Sequence, residues 1–234
     1  MIDNNFYQNE FEGFGEVSKE PVFSHSVRDE VFYKFEMATL RLSGEYDYMP
    51  ILVSKEMVDI SELKKGASVS IIRGKIRTAN IPAPERGEGL SRLTMSVLPN
   101  RRLGVIVNSV GEMKNEVLLK GFLCKPPIQR ETPFGREICD INLAINRSND
   151  KVDYIPCITW GYNAKFAGCL YMGAGVSLTG RVQSREYGKN MKFSDLKHLD
   201  SFCYTGYEKT DEDGKVYVKR RTIEISAGTI EQIK

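Results

Sequence analysis

The chain has 234 residues, with 33 Lys plus Arg against 31 Asp plus Glu, 41% hydrophobic and 27% charged. That composition excludes the disordered and fibrous classes and allows one large core or two small ones. Mean hydropathy is −0.34, no apolar run approaches the roughly 18 residues of a bilayer crossing, and the polar, acidic start Met1 to Glu10 has no signal-peptide pattern. The expectation is a cytoplasmic protein without a membrane partner.

The near-zero net charge hides an asymmetry. Residues 1–60 carry five bases against twelve acids, about −7, so the total of +2 leaves about +9 on residues 61–234, which points to an anionic partner for that portion. The five cysteines, Cys124, Cys139, Cys157, Cys169 and Cys203, form no CxxC pair and read as reduced, mostly buried thiols. The two histidines, His25 and His198, belong to no HExxH or Cys/His cluster, which removes support for a metal site. Two GxG pairs, Gly13/Gly15 and Gly173/Gly175, do not continue to GxGxxG, and no GxxxxGK[ST] loop or nucleophile beside a base is recognisable. The chain is expected to be no enzyme and to need no cofactor.

Taken in chain order, Tyr33, Phe35, Met37 and Thr39 alternate with Lys34, Glu36 and Ala38, a period-two strand with one buried face. Lys55–Lys65 is a short helical candidate with Ser54 as possible N-cap. Ser70–Thr78 reads as a strand with Ile72, Gly74 and Ile76 inward and Arg73, Lys75 and Arg77 outward. Asn108–Glu116 interrupts the apolar pattern and marks a join. Beyond it Cys139, Ile141, Leu143 and Ile145 alternate with polar residues, Tyr162–Tyr171 is a second helical candidate, and Val176–Tyr187 is a strand with Arg181, Gln183, Arg185 and Tyr187 on its polar side. Gly188–Arg221 reads as a long hairpin turning at Asp211–Gly214, with Lys189, Lys192, Lys219, Arg220 and Arg221 at its base. A last strand spans Lys215–Gly228.

The chain also matches itself when shifted by 106 positions. Gly15 meets Gly121, Pro21 meets Pro127, Ala38 meets Ala144, and Arg41 meets Arg147. Asp47-Tyr-Met-Pro-Ile meets Asp153-Tyr-Ile-Pro-Cys, Gly74 meets Gly180, and Thr78 meets Ser184, with no gap between Gly15 and Thr78. Two copies of one unit follow, one over residues 1–110 and one over 111–234. Four strands, a helix before the fourth, and a fifth strand is the order of an OB-fold, a five-stranded Greek-key barrel whose face binds oligonucleotides or oligosaccharides. The predicted fold is all-β, two tandem OB barrels. Gly74 and Gly180 suit a barrel strand that bends sharply; Pro50 and Pro156 sit awkwardly inside strand-like runs and argue for an edge or a bulge there.

The second half resembles bacterial single-stranded DNA-binding proteins. The likeness rests on Gly121-Phe-Leu-Cys-Lys-Pro-Pro, Ile141-Asn-Leu-Ala-Ile-Asn-Arg, Asp153-Tyr-Ile-Pro-Cys-Ile-Thr-Trp-Gly and Gly180-Arg-Val-Gln-Ser-Arg-Glu-Tyr, in that order, and covers 115–233. The first half resembles the family through its repeat relation, so the whole is similar to the tandem two-barrel form. The resemblance implies sequence-tolerant binding of single-stranded DNA in replication, recombination or repair, with bases stacking on Tyr154, Trp160 and Tyr187.

Parity agrees with that implication, since Tyr154 and Trp160 share one side of a strand and Tyr187 shares its face with Arg181 and Arg185. Read from the residues alone, Tyr154 and Trp160 could instead be core and the arginines merely solvated. Phe134, in Thr132-Pro-Phe-Gly-Arg136, suits either a stacking loop tip or a hairpin closure. Arg147 and Lys189 complete the cationic candidates of this half.

In the first half only Tyr48 persists, because Ser54 and Ile81 stand where Trp160 and Tyr187 would be. With Arg73, Lys75 and Arg77 retained, that barrel is expected to bind weakly and electrostatically or to serve assembly. Asn149 replaces a tryptophan that many relatives carry. The end at Thr229–Lys234 lacks the family's acidic tail, which suggests an accessory member that does not recruit replication or repair enzymes that way. The expected assembly is a homodimer presenting four barrels. Competing readings are a primosomal or single-stranded RNA-binding factor, similar to primosomal replication protein N, and a protein-interaction scaffold.

Overall fold

A computed structural model describes residues 6–101, 104–148, 150–209 and 215–233. In chain order the strands are β1 (Gln8–Val27), β2 (Glu30–Leu40), β3 (Tyr46–Ser54), β4 (Ser68–Pro82), β5 (Ser91–Pro99), β6 (Val105–Val107), β7 (Lys114–Leu123), β8 (Ile128–Glu131), β9 (Glu137–Asn146) and β10 (Val152–Trp160). Helix α1 (Tyr162–Gly168) follows, then β11 (Gly175–Lys192), β12 (Tyr204–Lys209) and β13 (Lys215–Ile233). No helix among the described residues is long and apolar enough to cross a membrane.

Two closed circuits lie in one continuous sheet. In the first half β1 pairs β2, β2 pairs β3, β3 runs parallel to β5, β5 pairs β4, and β4 returns to β1. In the second half the same order is β7, β9, β10, β13, β11 and back to β7. Each is an OB barrel, with the parallel contact between its third and fifth strands at Ile51↔Val97 and Cys157↔Ile225. The third-strand positions are 106 apart and the fifth-strand positions 128 apart, so the second barrel's closing hairpin is 22 residues longer.

The alternating residues explain the cores. Phe35, Met37, Met49, Ile51 and Val97 fill the first, and Cys139, Leu143, Ile155, Val182 and Ile225 the second, each 3% exposed or less. An asparagine at the same place in each barrel extends a strand pairing with its side chain. Asn9 bonds both backbone groups of Ile76, and Asn115 those of Val182, at 2.7–2.9 Å. Close approach fixes two glycines: a Cβ on Gly15 would lie 2.2 Å from the Ala38 carbonyl oxygen, and one on Gly121 2.5 Å from that of Ala144.

Several expectations need correction. Lys55–Lys65 forms only a three-residue 3-10 turn, Ile60–Glu62, capped by Asp59 accepting from Ser61 N, because Ser54 ends β3 buried in the core. Ile72 points outward, 41% exposed, and Ile71 takes the inner place, since the β1–β4 register shifts between Phe11↔Gly74 and Gly13↔Ile71. Glu36 and Ala38 are buried, so β2 is covered on both faces. Pro50 and Pro156 lie in unbroken antiparallel ladders, each one residue before its strand's parallel contact begins. Cys169 is exposed. The turn Asp211–Gly214 and Asn149 lie outside the described residues.

The halves are joined about a pseudo-twofold axis. β1 and β7 pair antiparallel with Phe11 opposite Val117, its own repeat equivalent. Away from the axis two buried carboxylates reach across. Asp47 accepts from Ser184 N at 2.8 Å and from Arg41 Nε at 2.7 Å; Asp153 accepts from Thr78 N at 2.7 Å and from Arg147 Nε at 2.9 Å. The Arg41 guanidinium, hydrogen-bonded to Asp47, is held above its ordinary pKa. The hydroxyls reciprocate: Ser184 Oγ accepts from Tyr48 N and Thr78 Oγ1 from Tyr154 N.

Asp153→Ala is expected to strand Arg147 and the Thr78 N–H, costing about 3–5 kcal/mol as for other broken buried pairs and lowering Tm by about 10 °C. A thermal melt that moves by less than about 3 °C would remove these carboxylates from the account of how the barrels are held.

Candidate nucleic-acid interface

The outer face of the second barrel runs across β10, β13 and β11. On β10 Asp153, Ile155, Cys157 and Thr159 point inward at 3% exposure or less, which turns Tyr154 and Trp160 outward. Tyr154 is 46% exposed, and Trp160 is half-buried with its indole N–H donating to Ser226 Oγ at 3.2 Å. On β11 and β13 the cross-strand pairs Arg181↔Ser226, Gln183↔Glu224, Arg185↔Thr222 and Tyr187↔Arg220 carry the face onward. Tyr187 is 42% exposed. The three aromatics thus share one surface with Arg181 and Arg185.

Neighbouring acceptors hold those arginines. Arg185 ion-pairs Glu224 at 2.8 Å, and Arg181 donates to Gln183 Oε1 at 3.0 Å and approaches Asp47 at 3.4 Å. Glu224 and Ser226 were not among the sequence candidates. Their signal was the alternation of Thr222, Glu224 and Ser226 with Ile223, Ile225 and Ala227 along the last strand.

The other candidates divide. Phe134 stands at the β8–β9 hairpin tip, 93% exposed, and Lys189 is exposed on β11. Arg73 and Lys75 are exposed but line a groove with the carboxylates Glu10 and Glu12, which offset their charge. Arg147 and Arg77 are not free cations: both bind Asp153, and Arg147 also donates to the Thr78 carbonyl. Tyr48 is not an open platform, because the Arg221 guanidinium lies 3.9 Å from its ring centroid. Arg220 and Arg221, expected at the exposed base of the long hairpin, are buried; Arg221 bridges Glu36 at 2.5 Å and Glu186 at 3.1 Å. Phe23, 64% exposed on the β1–β2 arm, was missed, since Gln129 and no aromatic stands at that shift in the second half.

Fold and face define a tandem OB-fold protein with an outward aromatic and cationic surface on its second barrel. The model of the single-strand binding protein family matches residues 114–198. Single-stranded DNA-binding protein B of Bacillus subtilis is 36% identical over 83 residues, 32% of this chain and 73% of that protein. Single-stranded DNA-binding protein 2 of Listeria monocytogenes is 36% identical over 85 residues, 33% of this chain and 53% of that one. For most of these curated relatives the chain spans about half of their length. The wild-type single-stranded DNA binding protein from Thermus aquaticus superposes with a TM-score of 0.64 at 16% identity, over 97% of this chain and 94% of that one. The chain belongs to the single-strand binding protein family.

Arg221→Met is expected to leave the buried Glu36 with only Lys19, 3.7 Å away, as a cation and to lower Tm by about 5 °C. Adding Glu36→Gln should recover about half of that loss; melts of the two single variants and the double variant measure the coupling.

Proposed function

We propose that the chain binds single-stranded DNA without sequence preference, stacking bases on Tyr154, Trp160 and Tyr187 and holding phosphates with Arg181, Arg185 and Lys189. The observation that carries this is the shared outward face of β10, β13 and β11. Every base has a π-face, so a row of fixed rings accepts any sequence, while guanidinium groups track the backbone. Relatives named as single-stranded DNA-binding proteins support the reading. Residues 111–234 form the main binding unit and residues 1–110 the assembling one, where Phe23 adds a contact and Arg73 and Lys75, offset by Glu10 and Glu12, add only weak attraction. Phe134 reaches a strand leaving the face. The role belongs to replication, recombination or repair in the cytoplasm and involves no catalysis. A homodimer with four barrels completes the proposal. β6 and β8 end the strand path, and β8, with Ile128 62% exposed, leaves an unpaired strand edge that a second copy can cover; light scattering at two concentrations tests it.

The single tryptophan is its own probe. Oligo-dT is expected to quench Trp160 fluorescence, with affinity falling steeply as salt rises. Tyr154→Ala and Trp160→Ala should each weaken binding by about 1–3 kcal/mol. Unchanged affinity in both would refute the stacking face and favour a scaffold, and a tenfold preference for RNA of the same sequence would move the substrate class.

Glu224→Gln should release Arg185 for phosphate contact and tighten oligo-dT binding about threefold at low salt. Weaker binding in that variant would mean that Glu224 matters chiefly by orienting Arg185.

A further inference from the structure

The first barrel's β4–β5 hairpin leans against the far end of the second barrel's outer face. There it closes a pocket of about 200 Å³ lined in part by Arg86, Arg92, Tyr187, Cys203 and Arg220. Two of its guanidinium groups are deeply buried: the Arg220 side chain is 2% exposed and that of Arg92 10%. They share one carboxylate, Glu85, itself 1% exposed, which ion-pairs Arg92 and lies 3.8 Å from Arg220. Arg92 Nε, Nη1 and Nη2, Arg220 Nε and both carboxylate oxygens of Glu85 are buried without a hydrogen-bond partner among the described residues, so the cluster holds more unmet donors than unmet acceptors.

These three groups together carry one net positive charge, with Asp200 the next carboxylate acting on Arg92, and several of their donors bond nothing. Burying an unpaired charge is costly, and a structure retains it where something compensates. The stress is visible on Arg92, whose pKa burial pushes below the ordinary value, with the Arg220 charge adding to the effect. Guanidinium donors in a fixed fork match an oxyanion with several acceptor oxygens. The volume exceeds the roughly 30 Å³ of one water several times over, enough for a tetrahedral anion. Tyr187 lies with its ring 6.0 Å from Arg220, so the pocket opens beside the last stacking position.

We propose that this pocket is a phosphate site formed jointly by the two halves, in which Arg92 and Arg220 hold a phosphate oxyanion. The phosphate comes either from the strand stacked on Tyr187, a source that rests on the proposed function, or from free phosphate. Glu85 acts as the internal anion that the phosphate partly replaces.

Two measurements on the full chain separate the sources. At matched ionic strength, replacing about 50 mM chloride by inorganic phosphate is expected to raise Tm by about 4 °C in the parent, by less than about 1 °C in Arg92→Met, and by more than in the parent in Glu85→Gln, which keeps both guanidinium groups. If Arg92→Met does not fold, Glu85→Gln decides. In oligo-dT titrations a strand phosphate in the pocket lowers the salt slope of Arg92→Met by about 0.7; an unchanged slope beside a lost phosphate shift assigns the site to free phosphate. Equal phosphate shifts in parent and variants, or none in the parent, overturn the proposal. Failure of single-strand binding would appear instead as no oligo-dT binding by the parent, whatever phosphate does.

Discussion

The arrangement depends on two carboxylates that each barrel extends into the other. Asp47 and Asp153 are fully buried, and each accepts a backbone N–H from the opposite half while its own half supplies the arginine. A buried carboxylate is costly unless every lone pair is used, so these bonds tolerate few relative orientations of the barrels. Together with Phe11 opposite Val117, they set the pseudo-twofold relation. That relation in turn lays each barrel's closing hairpin toward the other's face.

Much of this was legible in the residues. The shift of 106 that aligns Asp47 with Asp153 and Thr78 with Ser184 identified the very groups that bond across the axis, although nothing in one sequence says that equivalent residues from two copies will meet. Period-two alternation located the inner faces of β9 and β11 and the outward set Tyr154, Trp160, Arg185 and Tyr187 on a common surface.

What escaped had local or tertiary causes. Ile72 was misplaced because a one-residue register shift in β4 leaves apolar residues on both sides of it, and alternation carries no mark of where the shift falls. Arg77 and Arg147 read as nucleic-acid contacts, and Arg220 and Arg221 as charges at the base of a hairpin, because a sequence shows charge but not its partner. Arg147 finds Asp153 six residues on, across the β9–β10 hairpin, whereas Arg77, Arg220 and Arg221 pair with Asp153, Glu85 and Glu36 of the opposite half, far along the chain.

The inequality of the two faces follows from hairpin length. The second barrel's hairpin, longer by 22 residues, reaches far enough for Arg221 to cover Tyr48 and pair Glu36, and for Asp200 to bond Lys34 at 2.8 Å. The shorter β4–β5 hairpin of the first barrel stops at Arg220 and the edge of Tyr187, and Tyr154, the equivalent of Tyr48, stays open. A symmetric duplication would offer two similar surfaces. Lengthening one hairpin closes one of them with the other barrel's own arginine, so the loss of Trp160 and Tyr187 equivalents at Ser54 and Ile81 costs the first barrel nothing that its covered face could still use.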